Sequence, residues 1–370
     1  MKRPNATEKA AEAPARPAAT TPRTRTARAT RVDLVAVTQW ITAAALRHGD
    51  DLAGHLTQRL GIERRRARVL LRRLVAAQWL TREGPLRRPQ YRPGALRQVV
   101  MRYPLAGLQE DLPWRRDFAP CFDLPPQARA MAQHAFAELV DNAVEHSGGS
   151  QVAVSMRQTP LQIQLLVSDD GLGLFQRIEQ AFAIAEPALA MLELAKGKLT
   201  SVPERHAGQG LHLTARLADV FDVCANAARF QCCAWQTRRW EATPIHAKLA
   251  ARPGTSIYVA IALDTPRTLD AALRATSLDG NGYGFERTTV PLHLLAGADG
   301  ALASRAEARR ATARLASFRR AELDFAGITA VGRGFADELM RVFRREQGLE
   351  LVPINAAGSV AAMLEAAAAD

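Results

Sequence analysis

The sequence predicts a multidomain α/β protein with three folded modules in a chain of 370 residues. Three observations predict it. Residues 31–100 carry helical patterns and then a hairpin pattern, residues 120–265 alternate helices with apolar strands, and residues 284–370 repeat a strand–helix order. A chain of this length can bury two to three hydrophobic cores.

The N-terminal 30 residues are rich in Pro, Ala, Thr and Arg. Such a composition buries too little apolar surface to fold, so we predict that residues 1–30 are a disordered basic tail. The tail also lacks the apolar segment of a secretory signal. A nonspecific basic arm and a solubilising tail explain it equally well.

Residues 31–100 predict three helices, at 34–49, 51–61 and 63–80, followed by a hairpin whose tip is Gly84–Arg88. We expect Val69, Leu70, Leu74 and Ala77 of the third helix to face the core. The order resembles a winged helix-turn-helix, which implies that the third helix meets DNA in the major groove. The arginines expected to contact double-stranded DNA are Arg64, Arg65, Arg66, Arg68 and Arg72 on the helix and Arg87 and Arg88 in the wing.

The charge distribution favours this interpretation. Residues 1–110 hold 22 Lys and Arg against 8 Asp and Glu, and residues 111–370 hold the remaining 27 against 29. A basic first third indicates nucleic acid or another acidic surface as partner. The alternative is a protein-binding winged helix with a solvated arginine face.

After a predicted connector at 101–119, residues 126–147 predict a helix that begins after a proline pair and ends before two glycines. Its apolar positions share one face, whereas Glu138, Asn142 and His146 share the opposite one. A carboxylate and an amide one turn apart suit nucleotide chemistry, with Glu138 activating a water and Asn142 giving an oxygen to Mg²⁺. Taken alone, the pattern also fits an ordinary amphipathic helix.

Three glycine-containing stretches follow. An apolar strand ends at Asp169 and enters a turn with Gly171 and Gly173, and Gly254 and Thr255 open a later strand. Between them Gly208, Gly210 and Leu211 lead into a helix whose start offers free N–H groups to phosphate. Lys198, Arg205 and His206 precede that helix and are either phosphate contacts or solvated charges of a mobile segment.

Together the four stretches resemble, in order and spacing, the nucleotide site of the GHKL superfamily, the ATPases of gyrase, histidine kinase and MutL type. The resemblance implies a Bergerat α/β sandwich over residues 120–265 and ATP with Mg²⁺ as cofactors. It implies that Asp169 accepts a hydrogen bond from the adenine amino group beside Thr255, and that residues 174–210 form a lid. The nucleotide-binding residues expected are Asn142, Asp169, Gly171, Gly173, Lys198, Gly208, Gly210, Leu211 and Thr255, with Glu138 as catalytic residue and Asn142 as metal ligand.

The C-terminal region of the sequence resembles the STAS-like domain that some GHKL proteins carry at the C-terminus. After a connector at 266–283, residues 284–370 present an LDFAGI strand, a GFADEL helix, a PIN strand and a last helix. In phosphorylated STAS partners of anti-sigma kinases the acceptor hydroxyl follows the central strand. Here Gly332, Arg333 and Gly334 stand at that position, so phosphorylation within the chain is not expected.

The function predicted is a cytoplasmic ATP-binding regulator, in which ATP binding and slow hydrolysis switch a DNA-binding winged helix. Histidine autokinase activity is not expected, because residues 101–130 hold no acceptor histidine. The alternatives are a Ser/Thr kinase acting on a separate protein and a non-hydrolysing ATP-sensing scaffold.

GHKL relatives often dimerise, and a homodimer would suit a palindromic DNA site. The STAS-like domain offers a surface for a protein partner. The sequence contains no apolar run long enough for a membrane helix. Its cysteines do not have the spacing of a metal site, so we expect them to be free thiols in a reducing compartment: Cys121, Cys224, Cys232 and Cys233.

Overall fold

The computed structural model describes residues 32–109, 111–200, 208–235, 239–343 and 349–369. The predicted N-terminal tail and the candidates Arg205 and His206 lie outside these ranges. From Leu34 onward, the described residues form one packed unit with mixed α and β structure. Within the described ranges, helices are too short or too polar to cross a bilayer.

Short helices and a hairpin form the N-terminal layer. Asp51 caps the third helix by accepting from the Gly54 amide, and Gly61 ends that helix at φ +61°. The first predicted helix is divided after Thr38, so the layer has four helices rather than three. The elements are α1 (Leu34–Thr38), α2 (Ile41–His48), α3 (Leu52–Leu60), α4 (Arg64–Ala76), β1 (Leu80–Glu83) and β2 (Gln90–Pro93).

The core face of α4 differs from the expected one. Leu70 and Leu74 are buried as expected, but Val69 is 42% exposed and Ala77 is exposed as well. Ala67 and Leu71 are buried in their place. The apolar stripe of α4 is therefore rotated, because positions 67, 70, 71 and 74 follow the i, i+3, i+4, i+7 spacing of one helix face, whereas position 69 does not and position 77 lies beyond the last residue of the helix.

A seven-stranded sheet with helices packed on it forms the central layer. Its strand order is β3-β4-β5-β9-β6-β7-β8, and every neighbouring pair is antiparallel. Alternating positions of β4 and β5 are buried, as expected for strands with one face against a helical layer. The strands are β3 (Arg97–Pro104), β4 (Gln151–Gln158), β5 (Gln162–Asp169), β6 (Val220–Ala225), β7 (Ala228–Cys233), β8 (Trp240–Ala242) and β9 (Thr255–Ala262).

The helices of this layer connect the strands. The longest, α6, begins at Pro126 and ends at His146, close to the limits that the sequence predicts, and Phe136 and Leu139 are buried on its sheet-facing side. The helices are α5 (Asp111–Pro113), α6 (Pro126–His146), α7 (Leu174–Phe182), α8 (Pro187–Lys196), α9 (Gly210–Leu217), α10 (Ala247–Ala250) and α11 (Leu269–Arg274).

Both expected connectors contain regular structure. Strand β3 runs into the 101–119 interval and pairs with β4 over its whole length, from Arg97 opposite Gln158 to Pro104 opposite Gln151. Helix α11 lies inside the 266–283 interval and packs against α6 and α9. The domain limits themselves stay predictions, but the sheet begins before residue 120.

The C-terminal layer is built on a parallel sheet of three strands in the order β10-β12-β14. The strand expected at LDFAGI ends at Asp324, because a turn follows in which the Ala326 amide donates to Asp324 Oδ1. The elements are β10 (Arg287–Pro291), β11 (Ala301–Leu302), α12 (Arg305–Thr312), β12 (Arg320–Asp324), β13 (Ala330–Val331), α13 (Arg333–Asp337) continued by a π-helix (Glu338–Phe343), β14 (Glu350–Ile354) and α14 (Gly358–Ala369).

Candidate functional site

A cavity of about 410 Å³ opens between α6, the end of β5 and the start of α9. It brings together side chains or backbone from all four glycine- and carboxylate-containing stretches. Of the ten nucleotide-site candidates, eight line it: Glu138, Asn142, Asp169, Gly173, Gly208, Gly210, Leu211 and Thr255. Gly171 and Lys198 do not line it.

Glu138 and Asn142 face the cavity from α6. The Glu138 side chain is 35% exposed, and a Cβ added to Gly210 would lie 1.9 Å from its Oε2 atom. A side chain at position 210 would displace the Glu138 carboxylate from this position, whereas glycine leaves room for it. The Asn142 amide nitrogen donates to the Glu138 carbonyl at 2.7 Å, which leaves the amide oxygen as the group available to a cation.

Asp169 closes the other end of the cavity. Its Oδ1 atom accepts the Gly171 amide at 2.9 Å and the Thr255 amide at 3.2 Å. Burial raises the pKa of this carboxyl above its usual range, while the two amide bonds oppose the shift. The backbone of Gly254, at φ +82°, passes so close that a Cβ there would lie 2.1 Å from the Asp169 carbonyl oxygen. Asp169 is thus held rigidly, with its second oxygen left for a donor.

The adjacent Asp170 has a different role. It is exposed and accepts both the Ser150 amide at 2.7 Å and the Gln151 amide at 2.9 Å. The Ser150 hydroxyl also donates to Asp170, at 2.7 Å, and this bond together with the two amide bonds lowers the pKa of Asp170 and fixes the loop that precedes β4. Gly171 lies against Ser147, whose carbonyl oxygen would be 2.2 Å from an added Cβ. Gly171 therefore shapes the turn and does not contact the cavity.

The start of α9 presents backbone amides to the cavity. Gly208 has φ +68°, and Gln209 and Gly210 lead directly into the helix. Among the described residues no side chain caps α9. Uncapped amides and the positive end of the helix dipole attract an anion.

Lys198 requires a correction. Its Nζ atom donates to the Ser317 carbonyl at 2.6 Å and lies 4.2 Å from the centre of the Phe318 ring. The ammonium group therefore contacts the C-terminal layer instead of facing the cavity. Helix α8, which ends two residues before Lys198, packs against β10 and so places Lys198 beside the C-terminal layer.

Sequence patterns did not single out several residues that line the cavity. Arg177 on α7 is the most informative, because its Nε atom is buried without a hydrogen-bond partner in the described part of the chain. His134, one turn before Glu138, has its Nδ1 atom 3.9 Å from Glu138 Oε1, and burial lowers its pKa. The helical spacing from Glu138 could have indicated His134, but nothing local indicated Arg177. The other lining polar residues missed are Asp141, Ser147, Thr200 and Gln209.

A second group of candidates forms an arginine surface on the N-terminal layer. All seven predicted DNA contacts are exposed: Arg64, Arg65, Arg66, Arg68, Arg72, Arg87 and Arg88. Arg64 forms an ion pair with Asp51 at 3.2 Å, both side chains being largely exposed. Five of these side chains project from α4 and two from the tip of the β1–β2 hairpin. The surface is separate from the cavity.

Comparison with known protein families gives one match. Residues 308–361 match a family described as a STAS-like domain of unknown function (DUF4325). The C-terminal layer therefore contains a STAS-like domain, and residues 308–361 are the part that the match covers. Among curated proteins, none matches the chain.

Proposed function

We propose that the protein is an ATP-binding regulator built on a GHKL-type Bergerat domain, and that the cavity is its nucleotide site. The observation that carries the proposal is the convergence of Glu138, Asn142, Asp169, Gly210 and Thr255 on one cavity. These residues span more than a hundred positions of the chain, and their lining of one cavity supports the proposal.

The chemistry of the lining groups fits an adenine nucleotide. Asp169 offers a carboxylate oxygen to an exocyclic amine at one end, and the backbone amides at the start of α9 offer donors to phosphate at the other. Bound Mg²⁺ would supply charge neutralisation for the phosphates, with the Asn142 oxygen among its ligands. Glu138 would accept a proton from the attacking water, since its carboxylate lies beside the start of α9.

The regulatory output depends on segments next to the cavity. Leu199, Thr200 and Gly208 line it on both sides of residues 201–207, and Lys198 is attached to the STAS-like domain. ATP shifts the equilibrium only as far as it binds one arrangement of this lid better than another. The DNA affinity of the arginine surface would then change with the arrangement of the lid. A homodimer would place two such surfaces on a palindromic site.

The first test is nucleotide binding by the full chain. With Asp169→Asn we expect the affinity for ATP, measured by calorimetry with Mg²⁺, to fall by about tenfold or more, because an amide cannot accept equally from the adenine amine. Asp170→Asn is the matched control, since that carboxylate bonds to Ser150 and Gln151 outside the cavity. Wild-type protein that binds no ATP would refute the proposal. Transfer of labelled phosphate from ATP to a separate protein would instead support the alternative function, a Ser/Thr kinase.

The second test concerns DNA. Replacing Arg65, Arg68 and Arg72 together with Ala should weaken binding to a duplex by about tenfold or more and reduce the salt dependence by about three ion equivalents. Fluorescence anisotropy at several salt concentrations measures both quantities, with and without ATP. The control replaces three exposed arginines of the STAS-like domain, Arg305, Arg310 and Arg341. Equal losses in the two variants would show that only net charge matters and remove α4 as the binding element.

A further inference from the structure

A second cavity, of about 270 Å³, lies between the central layer and the STAS-like domain. On one side it is lined by α8, α9 and strands of the central sheet. On the other it meets the carboxyl ends of the parallel strands at Pro291, Asp324 and Ile354. Open α/β sheets bind ligands at the carboxyl ends of their strands. We call this space the interlayer cavity.

The charged groups of the interlayer cavity favour an anion. Arg216 and Arg239 line it, and Asp324 is the one carboxylate among its described lining residues. The Arg239 Nε atom is buried with no hydrogen-bond partner in the described ranges. Burial and the neighbouring Arg287 both lower the pKa of Arg216, while Glu322 opposes them. Two guanidinium groups against one carboxylate leave a positive excess in a space of low polarity.

Two histidines add acceptors that lack a donor. His212 is 8% exposed, and its Nδ1 atom lies 2.7 Å from the Ala195 carbonyl, so Nδ1 carries the hydrogen. Burial lowers the pKa of His212 to about 4, so the ring is neutral at pH 7. Its Nε2 atom is then a bare acceptor, buried and without a partner among the described residues.

His293 repeats this arrangement with the ring nitrogens exchanged. Its Nε2 atom lies 2.6 Å from the Trp240 carbonyl and donates to it, and burial keeps the ring neutral by lowering its pKa. The buried Nδ1 atom has no partner in the part of the chain that the structure describes. Buried acceptors are normally satisfied, and the hydroxyl groups of one ligand in the cavity could donate to both of these.

We propose that the interlayer cavity binds a small hydroxylated anion, such as a sugar phosphate or a sugar acid. Its anionic group would be held by Arg216 and Arg239, and its hydroxyl groups would donate to His212 Nε2, His293 Nδ1 and Asp324. Phe221 and Trp240 supply an apolar wall for the carbon skeleton. The site is distinct from the nucleotide cavity, with which it shares only Leu194 and Leu211 among its lining residues.

The test is calorimetric titration of the full chain with ribose 5-phosphate, gluconate and neutral ribose. We expect ribose 5-phosphate or gluconate to bind at least about tenfold more tightly than ribose, since charge-assisted bonds to arginine contribute that much. The phosphate and carboxylate arms identify the anionic group. Binding of neither anion at millimolar concentration, or binding equal to that of ribose, would overturn the proposal.

Variants locate the bound probe. Arg239→Met and His293→Phe should each weaken binding of the tighter anion by about tenfold, while Arg305→Met on the exposed face of α12 should not. Circular dichroism would establish that the variants fold, and Arg239, which is half-buried, tolerates replacement better than the deeper His212. Binding that is lost with Arg177→Met but kept with Arg239→Met would place the probe in the nucleotide cavity and overturn the assignment. Because ATP is absent from the titration, its outcome is independent of the nucleotide proposal.

Discussion

Replacing Glu193 with Leu is expected to lower the free energy of unfolding by about 3–5 kcal/mol, because it leaves the Lys196 ammonium buried without its carboxylate. Lys196 is 1% exposed and Glu193 5%, and their Nζ and Oε1 atoms are 2.7 Å apart. Lys196 also donates to the Ala313 carbonyl at 2.9 Å, so the pair connects α8 to the STAS-like domain. Burial already lowers the pKa of Lys196, and Glu193 opposes that shift.

Urea denaturation at equilibrium measures the effect. The double variant Glu193→Leu, Lys196→Met should recover most of the loss, because removing both charges also removes the cost of burying them. Asp270→Ala is the surface control: its ion pair with Arg274 is exposed, so a change below about 1 kcal/mol is expected. A double variant no more stable than Glu193→Leu alone would mean that packing, rather than the unpaired charge, dominates.

Replacing Glu138 with Gln is expected to reduce ATP hydrolysis by about 100- to 10,000-fold while changing ATP affinity little, because glutamine keeps the shape beside Gly210 but cannot accept a proton. Steady-state turnover and calorimetric affinity, measured on one preparation, separate the two effects. Glu145→Gln is the matched control, since Glu145 lies on the same helix but outside the cavity lining. Undiminished turnover by Glu138→Gln would remove this residue from the catalytic role.

Much of the candidate site could be predicted because its residues stand in short local patterns. The helical spacing of Glu138 and Asn142 and the strand that ends at Asp169 place each residue on the correct element. Their meeting in one cavity is a property of the sheet, since β5 and β9 are neighbours in it although they are far apart in the chain. Local patterns alone do not contain that meeting; the expectation of a shared site came from the resemblance of the four stretches to the GHKL nucleotide site.

The features that the sequence did not predict depend on contacts between distant segments. Lys196 and Lys198 have the pattern of solvated charges, yet the STAS-like domain covers the first and binds the second. Strand β3 looks like a connector until its partner β4 is known, about fifty residues later. Arg177 reaches the cavity lining because the chain turns at Gly173 before α7 begins; there φ is +90° and an added Cβ would meet Asn226. No local pattern contains such information.

Leu194 and Leu211 have a further consequence, since each lines both cavities. Because the same two side chains line both cavities, a displacement of either that enlarges one cavity would reduce the other. If an occupant on one side moves these side chains, the affinity on the other side changes by some factor, and thermodynamic reciprocity makes that factor identical in the reverse direction. Occupancy of the proposed interlayer site and occupancy of the proposed nucleotide site would then be linked by one coupling free energy. The side-chain volumes at positions 194 and 211 would set its size.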